Sequence, residues 1–147
     1  CWLLFQQIGD LPAFENLFNS SAVEMIKDRS ATSTTPEVRF EAATGTLSLR
    51  GEAYPENVTD FYEPLMAEIS AYLAGAESFR LIFRLTYFNT SSAKYFFDLL
   101  ALLDDARKRG CDVAVEWHYQ ENVEIMREHG EGFADEFDVP VTFVADL

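Results

Sequence analysis

The chain has 147 residues, a formal net charge of −14, and 48% apolar residues. That length suits a single domain, and that apolar fraction supplies a core, which excludes a disordered chain. The acidity disfavours a nucleic-acid backbone or an anionic membrane surface as partner, because both require a basic face.

The two cysteines, Cys1 and Cys111, form neither a disulfide framework nor a CxxC zinc pair. This usage points to a reducing compartment, the cytoplasm. No run approaches the ~20 apolar residues of a membrane-spanning helix. Residues 1–24 read as extra sequence ahead of a domain start near Met25. Residues 1–35 are expected to form a weakly ordered extension, with a short helix around Ala13–Phe18. The domain is expected over residues 36–147.

Val38 and Phe40 alternate with charged neighbours, as do Leu47 and Leu49, with Gly45 between the two runs. This predicts a β-hairpin with one apolar and one wet face. Tyr54-Pro55-Glu56-Asn57 is a loop whose Asn57 can cap a helix, with Asp60 favouring its positive end. The stripe Val58, Phe61, Tyr62, Leu65, Ile69, Leu73 predicts that helix up to Gly75, irregular or bent near Pro64.

Residues Ser78–Asn89 predict a central strand. Phe79, Leu81, Phe83, Leu85 and Tyr87 lie on one face, with Ile82 and Phe88 among the residues of the other. Apolar groups on both faces predict cover on both sides. A second helix follows, with a core stripe through Phe96, Phe97, Leu100 and Leu103, stopped by Gly110. Cys111–His118 predicts a strand. Glu121–Phe137 predicts an acidic helix, broken or frayed near Gly130 and Gly132. Val139–Ala145 predicts a last strand. The order β-β-α-β-α-β-α-β implies an α/β fold with a single mixed sheet and parallel crossovers.

Sites for familiar chemistries are scarce. His118 and His129, the two histidines, have no metal-ligand spacing, so no metal is expected. The carboxylate pairs sit on polar helix faces, which fits solvated surface and not acid–base work. No glycine-rich phosphate loop or GxSxG elbow occurs. A Thr or Ser nucleophile would need a base, for which His118 is the candidate. The informative tetrapeptide is Asn89-Thr90-Ser91-Ser92, at a strand-to-helix turn. A cap needs one such residue and four are present. A phosphate there would meet free backbone N–H groups and the positive helix end, with Lys94 one turn on as a counter-charge. A phosphorylation switch and simple capping both fit this pattern.

Five segments together resemble a known family. They are Thr35–Phe40, Gly45–Gly51, Tyr54–Asn57, Tyr87–Ser92 and Trp117–Tyr119, in the order and spacing seen in SiaC-type regulatory phosphoproteins. The resemblance spans about residues 35–146. It implies a fold similar to STAS domains and anti-anti-sigma factors. It implies a protein without catalysis or cofactor, whose Thr is phosphorylated by a dedicated kinase and dephosphorylated by a PP2C-type phosphatase. Unphosphorylated, such a protein binds and activates a diguanylate cyclase, in c-di-GMP signalling. Carried over, Thr90 is the phosphoacceptor, framed by Asn89, Ser91, Ser92 and Lys94. Tyr54, Glu56, Asn57, Trp117 and Tyr119 match motifs that would contribute to the partner surface. The alternative on the same fold is an anti-anti-sigma-like antagonist in a kinase/PP2C cascade without a cyclase. From Ala101 onward twelve acidic residues face four basic ones, so a partner docking beside the last helix should present a basic surface.

Overall fold

In a computed structural model of the chain, residues 26–147 are described. The expected helix around Ala13–Phe18 lies outside them. Five strands form one sheet in the order β1 to β5: β1 (Glu37–Glu41), β2 (Thr46–Ala53), β3 (Ser78–Phe88), β4 (Asp112–His118) and β5 (Val141–Val144). Three helices connect β2 to β5: α1 (Val58–Leu73), α2 (Thr90–Lys108) and α3 (Glu124–Ala134). The hairpin β1–β2 is antiparallel, with Val38 opposite Leu49 and Phe40 opposite Leu47. Gly45 takes φ +66° in its turn, where a Cβ would lie 3.1 Å from the Ser78 carbonyl oxygen. All other pairings are parallel.

Each crossover joins neighbouring strands. Right-handed crossovers in one direction put all three helices on one face. Burial follows: Leu47, Leu49, Phe79, Leu81, Phe83, Leu85, Val113, Val115 and Trp117 are buried against the helices. The expectation that β3 is covered on both sides is therefore corrected. Its other face carries Arg80, Ile82, Arg84 and Thr86, which are exposed or half-buried. Among the described residues no helix covers it. Ile82 and Phe88 had lent that face an apolar look, and of the two only Ile82 lies on it.

The alternation along β3 also slips near its end. Gly51 pairs with Leu85 but Glu52 pairs with Tyr87, so Thr86 is an extra residue opposite the β2 backbone. Its hydroxyl donates to the Gly51 carbonyl at 3.4 Å. Gly51 meets this irregularity with φ +115°. Such a bulge re-aims the side chains after it. Phe88, expected on the far face, turns into the core beside Phe96 and Trp117. Tyr87, expected inside, is 50% exposed.

Capping holds at the first two helices. Asn57 Oδ1 accepts from the Asp60 N–H at 3.2 Å, and Asn89 Oδ1 accepts from the Ser92 N–H at 2.9 Å. α1 runs unbroken through Pro64, which lies with Asp60, the residue whose helical partner it removes, on the exposed side of the early turns. Gly110, at φ +104°, ends α2.

α3 departs from expectation. It is continuous through Gly130 and Gly132. Gly130 serves packing: a Cβ there would lie 2.7 Å from three atoms of the Trp117 indole. The indole N–H donates to the Met126 carbonyl at 2.9 Å, fastening the same helix.

Residues 26–35 fall within the expected N-terminal extension. They lie along β1 and α1: Ile26 is buried, Arg29 exchanges backbone bonds of 2.8 Å with Val38, and its guanidinium meets Glu68 at 2.7 Å. No helix among the described residues is long and apolar enough to cross a membrane.

Candidate functional site

Three of the five motif segments meet at the carboxyl edge of the parallel strands. Tyr54–Asn57 follows β2, Asn89–Ser92 follows β3, and Tyr119 follows β4. The Tyr54 ring packs edge-on against Tyr87 at 5.5 Å, and the Asn89 N–H donates to the Ala53 carbonyl at 3.1 Å. The first two segments thus form one surface. Glu56 and Asn57 are exposed on it, with Asn57 engaged as the α1 cap.

The four residues of the turn divide by role. Asn89 has extended backbone (φ −99°, ψ 176°); its side chain caps α2, and its carbonyl accepts from Ala93 at 3.0 Å. Thr90 and Ser91 are exposed in the first turn. Ser92 is fully buried, and its hydroxyl accepts from the Tyr62 phenol at 2.8 Å, pinning α2 to α1. Burial pushes the Tyr62 phenol up to about 12, against the effect of the Ser92 bond, so it stays a neutral donor. An enzyme acting on the folded protein can therefore reach Thr90 and Ser91 but not Ser92.

The buried pair yields a stability prediction. Tyr62→Phe leaves the Ser92 hydroxyl buried without its donor, and is expected to cost about 1–3 kcal/mol. Ser92→Ala strands the phenol in the same way. The double variant should cost less than the sum of the two singles, read from urea unfolding midpoints. Additive losses would show that the bond contributes nothing.

Beside Thr90 an open groove of about 590 Å³ runs between α2 and α3. Ala93 and Phe97 of α2 line it with Tyr87 and Phe88, and α3 contributes Glu128, His129 and Phe133. Phe97, expected in the core stripe, is 41% exposed here and packs on Phe137 at 4.9 Å. Exposed aromatic surface beside a hydroxyl is the composition of a docking site. The α3 residues were missed in the sequence because they lie about forty positions from Thr90. Lys94 is exposed on α2 and is not among the lining residues.

Two motif residues take other places. Trp117 is 2% exposed and sits in the core against Phe83, Phe88 and Phe133. Tyr119 is also buried, its hydroxyl accepting from Arg127 at 2.9 Å. Both side chains are buried and hold the α3 side of the edge in place. His118 belongs to the face without helices. Its Nε2 lies 2.9 Å from Glu116 and its Nδ1 2.7 Å from Asp146, whose carboxyl it holds below the usual range. Both ring nitrogens of His118 are engaged by carboxylates, so it is not free to serve as the base for a nucleophilic hydroxyl.

A family model for the SiaC family regulatory phosphoprotein matches residues 29–146. The chain belongs to the SiaC family. It is 34% identical, over 115 residues, to an uncharacterized protein of Pseudomonas aeruginosa (strain UCBPP-PA14). That alignment covers 78% of this chain and 91% of the relative. Apo-SiaC from Pseudomonas aeruginosa superposes with a TM-score of 0.76 at 31% identity, covering 82% of this chain and all of that one. SiaC solved in complex with the diguanylate cyclase SiaD, as its activator, superposes at 0.78 and 32% identity, covering 81% of this chain and 98% of that one. The five-stranded sheet with its leading hairpin is thus the fold of SiaC.

Proposed function

We propose that this chain is a signalling switch without catalysis of its own, acting in the cytoplasm. Unphosphorylated, it binds and activates a diguanylate cyclase; phosphorylated on Thr90, it does not. A protein kinase and a PP2C-type phosphatase set the balance. The kinase transfers the γ-phosphoryl group of ATP to the Thr90 hydroxyl, whose proton goes to the kinase's base, and ADP leaves. Hydrolysis by the phosphatase restores the hydroxyl and releases inorganic phosphate.

The observation that carries this reading is the exposed Thr90 hydroxyl on the rim of an aromatic groove. The SiaC relative solved with its cyclase supplies the partner class. A phosphate there brings about two negative charges into the surface that a partner must desolvate. Tyr54, Glu56 and Asn57 extend the same surface, while the acidic α3 wall favours a partner with basic groups.

The test is a titration of a purified cyclase with the two forms of the protein. Phosphorylation should weaken binding at least 100-fold, equivalent to about 2.7 kcal/mol. Thr90→Ala should bind like the unmodified protein and resist kinase control. Equal affinity of the two forms would sink the switch. Binding to the kinase with none to any cyclase would turn the reading toward an antagonist.

A further inference from the structure

Among the described residues, the ionisable groups lining the Thr90 groove are Tyr87 from β3 and Glu128, His129 and Glu136 from α3 and just beyond it. No lysine or arginine lines it, and α2 contributes only Thr90, Ala93 and Phe97. A phosphate on Thr90 would therefore enter a space bounded by two carboxylates. The one lining group able to become cationic near neutral pH is the imidazole of His129.

That imidazole is placed by the core. Its ring meets Phe88 edge-on, with centroids 5.3 Å apart. Phe88 lies two residues before Thr90 and is turned inward by the β3 bulge. The next residue after His129 is Gly130, whose close approach to Trp117 sets the position of α3. Strand end, groove wall and imidazole are thus one packed unit.

We propose that His129 is the intramolecular counter-charge for a phosphate on Thr90, an inference that rests on the phosphoacceptor reading above. The phosphate draws one proton from solvent onto the imidazole and pairs with it. No covalent bond is made or broken. The pair ties the first turn of α2 to α3 and occupies the groove that the unphosphorylated protein leaves open. Phosphorylation then closes the docking surface as well as charging it.

The sign of the pH dependence follows from the two ionisations. The pair is complete when the phosphate is a dianion and the imidazole is protonated. It weakens as pH rises and the imidazole loses its proton, and as pH falls and the phosphate gains one. Glu128 and Glu136 oppose the dianion. The helix N-terminus favours it. The informative comparison therefore changes His129 alone.

The experiment uses the full chain with phosphothreonine installed at position 90 by genetic encoding, so no kinase is needed. A ³¹P titration should show the second phosphate proton leaving at a pH at least about half a unit lower in this protein than in its His129→Gln variant. His129 is exposed, and unchanged far-UV circular dichroism is the expected check that the variant keeps the fold. In the same samples the His129 proton signals should titrate at higher pH with the phosphate present than without it. The His118 signals, from the opposite face of the sheet, should not move. Superimposable ³¹P curves for the two proteins overturn the proposal. A curve moved by Lys94→Gln and not by His129→Gln overturns it too, and gives the role to Lys94. Failure of the cyclase switch would leave these curves unchanged, so the two readings fail separately.

Discussion

Trp117→Ala is expected to destabilise the domain by about 3–5 kcal/mol, the range for removing a buried aromatic. Among the described residues the indole is the largest fully buried side chain, and it touches three rings: Phe83 and Phe88 on β3, and Phe133 on α3. The substitution loses that apolar contact and leaves a cavity which neighbouring aromatics fill poorly. It also removes the donor to the Met126 carbonyl. Two costs therefore fall on one residue, and both loosen α3. Urea unfolding followed by far-UV circular dichroism measures the loss. A change under about 1 kcal/mol, with cyclase binding abolished, would return Trp117 to the partner surface where its motif had suggested it belonged.

The second large effect separates two glycines on one helix. Helix propensity alone favours replacing either Gly130 or Gly132 by alanine, by about 1 kcal/mol. At Gly132 nothing lies within 4 Å of the added carbon, so Gly132→Ala should stabilise by up to that amount. At Gly130 the added carbon would lie 2.7 Å from the Trp117 ring, closer than carbon atoms pack. The ring is packed among Phe83, Phe88 and Phe133 and is itself 2% exposed, so it has little room to retreat. Overpacking of this kind costs about 1–3 kcal/mol and outweighs the propensity gain. Gly130→Val should exceed Gly130→Ala, through its branched carbon. Opposite signs at positions 130 and 132, from paired unfolding curves, are the expected result. Equal signs would mean that α3 is free to slide away from the sheet. Because α3 carries Glu128 and His129, Gly130 variants that do fold should also change the groove beside Thr90.

Much of this architecture is legible in sequence, for local reasons. The hairpin shows in the alternation of Val38 and Phe40 with charges. Asn57 and Asn89 mark two helix starts because their short amides satisfy backbone donors that any helix leaves open. Gly110 marks an end because its φ is positive. The hydroxyl turn is visible for the same reason: a cap needs one polar residue and this turn has four. Each of these signals depends on residues within a turn or two of one another.

The groove has no such local signature. Its outer wall is placed by Gly130 against Trp117, thirteen residues apart, and a glycine in a helical stretch reads locally as a break. The exposure of Tyr87 and the burial of Phe88 depend on a bulge opposite Gly51, which inverts an alternation that extrapolates cleanly without it. Whether β3 is covered once or twice depends on the side each crossover takes. By itself, then, the sequence determined the strands and helices, the two asparagine caps and the hydroxyl turn, because hydrogen bonds and side-chain periodicity act over a few residues. Only the tertiary structure decided that Thr90 faces an aromatic groove with His129 in its wall. That outcome depends on which segments, distant along the chain, pack against the same indole ring.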